Sequence, residues 1–234
     1  MPPVGGLAPP VLEEEERRDI EAGQGVIFVL EGAQLETAQV GKAYQLLNCD
    51  DHAGYLKKHK KDPAHYRPDI AHQALMMILD SPLNKAGKLK GLYVHTSKNV
   101  LIQINPKVRL PRTFARFCGL MVQLLQKLSI RATNGPDKLM RVIKGPVTRH
   151  LPAGARRVGF SHSSEKLVPM AAWASALRDD ELASPIVFVV GGFAHGKIDE
   201  SYVDEFLSVS EYPLSAAYAI SRITNAMEAR WGIV

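Results

Sequence analysis

The sequence predicts an α/β fold with parallel strands at both ends of the chain, and three observations carry that expectation. Val26–Leu30 (VIFVL) and Ile186–Val190 (IVFVV) are short, continuous, β-branched runs, as a strand buried on both faces requires. Between them lie longer stretches with apolar residues three and four apart, which is helical spacing. Strands alternating with helices make an α/β sheet. The chain has 234 residues, 46% of them hydrophobic and 23% charged, an ordinary globular balance with room for one large domain.

The elements follow in order. Residues 1–24 are rich in Pro, Gly and Glu, have little apolar patterning, and read as a disordered leader or a short acidic helix outside the fold. Val26–Leu30 opens the sheet. From Asp69 to Leu79, Ile70, Ala74, Leu75, Ile78 and Leu79 recur at helical spacing, with Asp69 as N-cap and Ser81-Pro82 as the stop. Leu92 and Val94, then Val100, Ile102 and Ile104, alternate as strands do, and Ser97-Lys98-Asn99 joins them into a hairpin. Between Pro111 and Leu128, Phe114, Phe117, Met121, Leu124, Leu125 and Leu128 form one apolar stripe of a long helix. A strand over Arg156–Ser161, a helix near Val168–Leu177 and the strand Ile186–Val190 come next. The last element is a helix from Pro213 to about Arg230 with proline in its first turn.

Several function classes are excluded by simple features. The longest apolar run, Ile186–Ala194, is far short of the roughly 20 residues needed to cross a bilayer. The N-terminus has neither a basic start nor an apolar core, so it is not a secretory signal, and an intracellular protein is expected. Cys49 and Cys118 have no CxxC companion, no HExxH occurs among the eight histidines, and no GxSxG elbow is present. Neither a metal site nor a serine-hydrolase triad is expected.

Charge points to a polyanion. Residues 81–160 contain 16 Lys or Arg against a single acid, Asp137, whereas the rest of the chain holds 13 basic and 23 acidic side chains. A second basic run, Lys57–Lys61, leads to Arg67, with Tyr55, His65 and Tyr66 among the charges as stacking surfaces for bases. RNA fits better than a membrane, because no basic amphipathic helix with an aromatic apolar face is visible. Arg109, Arg112 and Arg116 stand at i, i+3 and i+7, so a helical continuation aligns them on one face as a phosphate clamp with no nearby acid to pair with. Asp69, two residues from Arg67, can orient that guanidinium as well as cap the helix.

The loop Gly191–Lys197 (GGFAHGK) follows directly on a buried strand, where ligands of open α/β sheets bind. Its spacing reads as the GxxxxGK of a P-loop, but Ile198 replaces the magnesium-binding hydroxyl residue and Asp199 and Glu200 follow where a phosphate-binding helix should open. His195 reads as structural. A second small-residue cluster, Ser210–Ala217, opens the last helix.

Four stretches carry a family resemblance: YRPDIAHQALMMILDSPLNKAG (66–87), NPKVRLPRTFARFCGLMVQLLQKLSIRA (105–132), VVGGFAHGK (189–197) and SEYPLSAA (210–217). Together they resemble the eukaryotic pseudouridine-N1 methyltransferases of small-subunit ribosomal RNA, in the SPOUT superfamily, over about Val26 to Val234. The resemblance implies an α/β open sheet with helices on both faces and a C-terminal trefoil knot. It implies one SPOUT domain over residues 25–234, with a basic RNA-binding extension around 55–116, and a homodimer. S-adenosylmethionine is the implied cofactor, small-subunit ribosomal RNA and pre-ribosomal assembly factors the implied partners, and the nucleolus of the nucleus the implied location.

By position, the resemblance implies cofactor contacts at Gly191, Gly196, Lys197, Ile198, Val209, Ser210, Glu211, Tyr212, Pro213 and Leu214, with another at the strand end Ser161–Ser164. It implies RNA contacts at Arg67, Arg109, Arg112 and Arg116, and catalytic roles for Arg67 and for Asp69, which holds Arg67 or assists deprotonation. The chain departs from the family pattern at two positions, with Glu211 in place of Asn and Gly192 in place of Ala. Glu211 keeps open the alternative of a non-catalytic assembly factor that binds pre-ribosomal RNA.

Overall fold

The computed structural model describes residues 23–133, 135 and 137–234. Of the expected leader, residues 1–22 lie outside the described residues. Strand β1 (Val26–Ala33) sits inside an eight-stranded sheet, flanked by β9 (Ile186–Gly191) on one side and β4 (Leu89–Thr96) on the other, both parallel to it. Beyond β9 lie β8 (Arg157–Phe160) and β10 (Glu205–Leu207), again parallel. Beyond β4 lie β5 (Leu101–Ile104), β7 (Lys138–Ile143) and β6 (Ser129–Arg131), all antiparallel. The hairpin of β2 (Thr37–Val40) and β3 (Ala43–Leu46) stands apart as a two-stranded sheet.

Alternation along β1 divides the core in two. Val26, Phe28 and Leu30 face one cluster and Ile27 and Val29 the other. The first cluster is covered by helices: α2 (Pro68–Asp80), α4 (Phe114–Lys127), α5 (Met170–Ser175) and α6 (Ala216–Arg230) all contribute buried residues to it. The second is closed, among the described residues, by Val147, Leu151, Ala155, Phe193, Ile198 and Tyr202, which belong to 3-10 turns and loops. The expected α-helices on both faces are therefore found on one face only. Gly145, Pro146, Pro152 and Gly154 punctuate the segment between β7 and β8 and hold it to a single 3-10 turn, Val147–His150.

Local chemistry sets the helix bounds. In α2, Ala71, Ala74, Leu75, Ile78 and Leu79 make the buried stripe, and Pro68 occupies the first turn with Arg67 as N-cap residue. Asp69 is thus inside the first turn and is not the cap, because Pro68 already starts the helix. Ser81 stops α2 and caps α3 (Pro82–Lys85), its Oγ accepting from the Asn84 amide at 3.1 Å. Glu228 of α6 reaches across to accept from the Leu83 amide at 3.0 Å, tying α6 to α3. The last helix begins at Ala216, after Ser215 caps it by accepting from Tyr218 N at 3.2 Å; Pro213 lies before it.

Five strands, β2, β3, β6, β7 and β10, and the short helices α1 (Ala53–Lys58) and α3 were not expected from the sequence. The predicted β4–β5 hairpin is present, with Asn99 in the left-handed region at φ 57°.

Ile78 is wholly buried at the α2–sheet contact. Ile78→Ala is expected to destabilise the protein by about 2–5 kcal/mol in chemical denaturation, the usual cost of a truncated core side chain.

Candidate functional site

The parallel strands β8, β9 and β10 end at one edge of the sheet, and a cleft of about 590 Å³ opens there. Three loops make its walls. After β8 come Ser161–Ser164, after β9 the glycine loop, and after β10 Ser208–Leu214. The first and third are stitched together: Ser161 N donates to Leu207 O at 3.0 Å, Val168 N to Ser208 O at 2.8 Å, and the Ser164 hydroxyl to Phe206 O at 2.8 Å. The glycine loop folds over Phe193, whose ring lies against Gly32 and Gly191. A Cβ at Gly32, which has φ 69°, would come within 2.5 Å of that ring, and one at Gly191 within 2.9 Å. Beyond Lys197 the chain turns inward at the buried Ile198, and Asp199 caps a short 3-10 turn by accepting from Ser201 N at 2.9 Å. No phosphate-binding helix follows Lys197, so the P-loop reading ends there.

The cleft brings together Ser161, Gly191, Gly196, Lys197, Ile198, Val209, Ser210, Tyr212 and Leu214. Glu211 and Pro213 are not among its lining residues. Glu211 stands exposed between the lining residues Ser210 and Tyr212. Phe160, Phe206 and Ser208 line it without having been singled out from the sequence. Phe160 ends the predicted strand β8, whereas Phe206 and Ser208 sit on or just past the three-residue β10, and a strand that short carries too little alternation to be read.

The basic residues gather elsewhere, and the row is not helical. Helix α4 starts at Phe114, so only Arg116 lies on it; Arg109 and Arg112 belong to the preceding loop, which Pro111 keeps out of the helix. That loop is tied to α2 by a 2.8 Å hydrogen bond between the His72 Nε2 and Pro111 O, and the His72 ring stacks on Phe117. Arg112 does have an acidic partner, Asp80 at the end of α2, 3.0 Å away. Arg67 donates through Nε and Nη2 to the two oxygens of Asp69, at 2.8 and 2.7 Å, which fixes its plane and raises its already high pKa. Arg109 borders a second hollow of about 630 Å³ with Lys85, Lys90 and Lys107.

Tyr66 is not an open stacking surface: it is buried and its hydroxyl donates to Glu36 at 2.9 Å. Lys61 pairs with the same carboxylate. Burial alone would raise Glu36, but the hydrogen bonds from Lys61 and Tyr66 hold it below the usual carboxylate range. The Tyr55 ring packs against His59, tilted by 36° with centroids 4.3 Å apart. The His65 ring centroid lies 6.3 Å from that of His195 in the glycine loop.

Beside the cleft, His95 lies 2.8 Å from Glu31 through Nδ1 and 2.9 Å from Asn99 through Nε2. The hydrogen bond to the Glu31 carboxylate pushes its pKa up to about 9, against an ordinary 6.5. A raised folded-state pKa stabilises fully below the unfolded value and is lost as pH rises through the folded one. Stability is expected to decline between pH 6.5 and about 9. His95→Gln should flatten that decline in denaturant titrations run across the window.

Comparison with known proteins places the chain in a family. The EMG1/NEP1 methyltransferase family model matches residues 28–228. A mouse protein named ribosomal RNA small subunit methyltransferase NEP1 is 54% identical over 213 residues, covering 91% of this chain and 84% of its own. The Drosophila melanogaster protein of that name is 51% identical over 215 residues, covering 89% and 83%. In structure, Archaeoglobus fulgidus Nep1 bound to S-adenosylhomocysteine superposes with a TM-score of 0.65 at 23% identity, over 89% of this chain and 99% of that one, a likeness of fold. With a family model spanning nearly all described residues and relatives above half identity, the chain belongs to the EMG1/NEP1 methyltransferase family.

Proposed function

We propose that this protein transfers a methyl group from S-adenosylmethionine to N1 of a pseudouridine in small-subunit ribosomal RNA and acts in building that subunit. One observation carries the reading: the loop that walls the cleft reaches the basic segment leading to Arg67. His195, between the lining residues Ala194 and Gly196, has its ring centroid 6.3 Å from that of His65, two residues before Arg67. Family membership and the names of the relatives support the same assignment.

The lining suits the cofactor. A cleft of about 590 Å³ falls within the ordinary range for small-ligand sites. Phe160, Val190, Leu207 and Leu214 offer an apolar wall for a purine, while the hydroxyls of Ser161, Ser164 and Ser210 and the loop backbone offer polar partners. Gly191, with no Cβ, leaves room for the Phe193 ring that shapes the loop. Bound there, S-adenosylmethionine supplies an already activated sulfonium methyl group.

What the side chains contribute is alignment, the entropic part of the barrier. Arg67, held in plane by Asp69, and Arg112, held by Asp80, grip RNA phosphates with oriented guanidiniums. Arg116 adds a third at the first turn of α4, where the helix N-terminus also favours an anion. Together they fix an RNA loop so that one base turns out toward the cleft. With both oxygens hydrogen-bonded to Arg67, Asp69 serves to orient that guanidinium.

The finer features implied by the resemblance belong to this proposal. A C-terminal trefoil knot is supported by the parallel order of β10, β8 and β9 with α6 following. A homodimer is supported by Tyr212 and Tyr218, 72% and 54% exposed beside the cleft. One domain over residues 25–234 with a basic extension around 55–116, assembly-factor partners and nucleolar work complete it.

The test is transfer of labelled methyl from S-adenosylmethionine to two matched RNA hairpins, one with pseudouridine and one with uridine in the loop. Label on the pseudouridine hairpin alone is expected. No label, despite cofactor and RNA binding, would leave an RNA-binding assembly factor. Arg116→Ala should weaken RNA binding and reduce the slope of log affinity against log salt by about one; an unchanged slope removes Arg116 from the clamp.

A further inference from the structure

Glu31 stands at the end of β1, in register with Gly191 of β9, and is 5% exposed. The alignment chemistry above does not use it, yet its carbonyl and its carboxylate are both engaged beside the cleft. Its carbonyl oxygen accepts from Gly192 N at 2.7 Å. One carboxylate oxygen accepts from the Tyr202 hydroxyl at 2.5 Å, and the other lies 2.8 Å from His95 Nδ1. Gly192 and Tyr202 bracket the loop that supplies Phe193, Ala194, Lys197 and Ile198 to the cleft wall.

A buried carboxylate needs partners to offset its lost hydration, and here one partner belongs to the loop itself. Burial, and then the Glu31 charge, push the Tyr202 phenol far up, so it remains a donor. His95 is braced from its other nitrogen by Asn99 in the β4–β5 turn, which keeps the carboxylate aimed. Phe193, seated on Gly32, adds an apolar anchor to the same loop.

We propose that Glu31 and Tyr202 are positioning residues for the cofactor: one residue of the central strand pins both ends of the glycine loop and forms the cleft wall before a ligand arrives. The inference rests on the reading of the cleft as the S-adenosylmethionine site. A pre-formed wall raises affinity by removing the cost of ordering the loop on binding. It is distinct from holding RNA, which falls to the arginines.

The cleanest variant is Tyr202→Phe, which removes the hydroxyl and keeps the packed ring. It is expected to weaken S-adenosylhomocysteine binding about tenfold, the scale of a lost hydrogen bond to a charged group. KM for S-adenosylmethionine should rise likewise, with kcat at saturating cofactor and RNA affinity held within about twofold of the parent, since uniform binding is what is lost. Amide exchange over residues 192–202 of the free protein should quicken. Glu31→Gln, which keeps an acceptor for Tyr202, should recover most of the affinity lost in Glu31→Ala. Parental affinity and parental exchange in Tyr202→Phe would overturn the proposal, as would equal losses in Glu31→Gln and Glu31→Ala. If the parent protein binds no S-adenosylhomocysteine, the cofactor reading fails on its own account, and exchange in Tyr202→Phe still decides whether Glu31 pins the loop.

Discussion

Parallel pairing of β9 between β1 and β8 is the constraint from which the site follows. A strand with parallel neighbours on both sides is buried on both faces, which Ile186–Val190 meets with five buried apolar residues. Parallel strands also end on the same side of the sheet. The loops after β8, β9 and β10 therefore converge, and backbone groups and small side chains meet there without any of them being close in sequence. The cleft is a consequence of strand direction, and its chemistry is a consequence of what the loops carry: serines after β8 and β10, glycines after β9.

Charge is arranged by the same economy of elements. Residues 81–160 hold all of the net basic excess and a single acid, so the acid that orients Arg112 comes from outside that block. Helix α2 supplies it, Asp80 at its end, and supplies Asp69 in its first turn for Arg67, which precedes the block. One helix thus fixes two guanidiniums near its opposite ends, the two orienting carboxylates standing roughly 16 Å apart along its axis at 1.5 Å of rise per residue. That separation suits several phosphates of a strand more than one point contact. Exposed pairs of this kind add little stability; their value lies in the direction they give the cation.

Much of this was legible in the sequence, where a pattern had enough residues to declare itself. The stripes of α2 and α4, the alternation of β4 and β5 and the apolar runs of β1 and β9 each span four or more informative positions. Strand β10 has three residues and owes its place to pairing with β8, a contact no local pattern encodes. The glycine loop was readable because it follows a buried strand, and Ser161 because it follows another. Phe193 was not, since its role depends on Gly32, 161 positions earlier in the chain and adjacent only once β1 and β9 pair. The arginine row failed for a local reason: Pro111 stood in view, and the helix begins after it. Asp80 beside Arg112 required the packing of the loop on α2 and could not be inferred from spacing.

The central claim is that the strand-end cleft, and not the basic surface or the second hollow, is where the cofactor binds. Backbone amide chemical-shift mapping of the isotope-labelled protein during titration with S-adenosylhomocysteine tests it most directly. The account predicts that the large shifts fall in residues 161–164, 191–200 and 208–214. Shifts centred on Arg67, Arg112 and Arg116, or around Lys90 and Lys107, would contradict it.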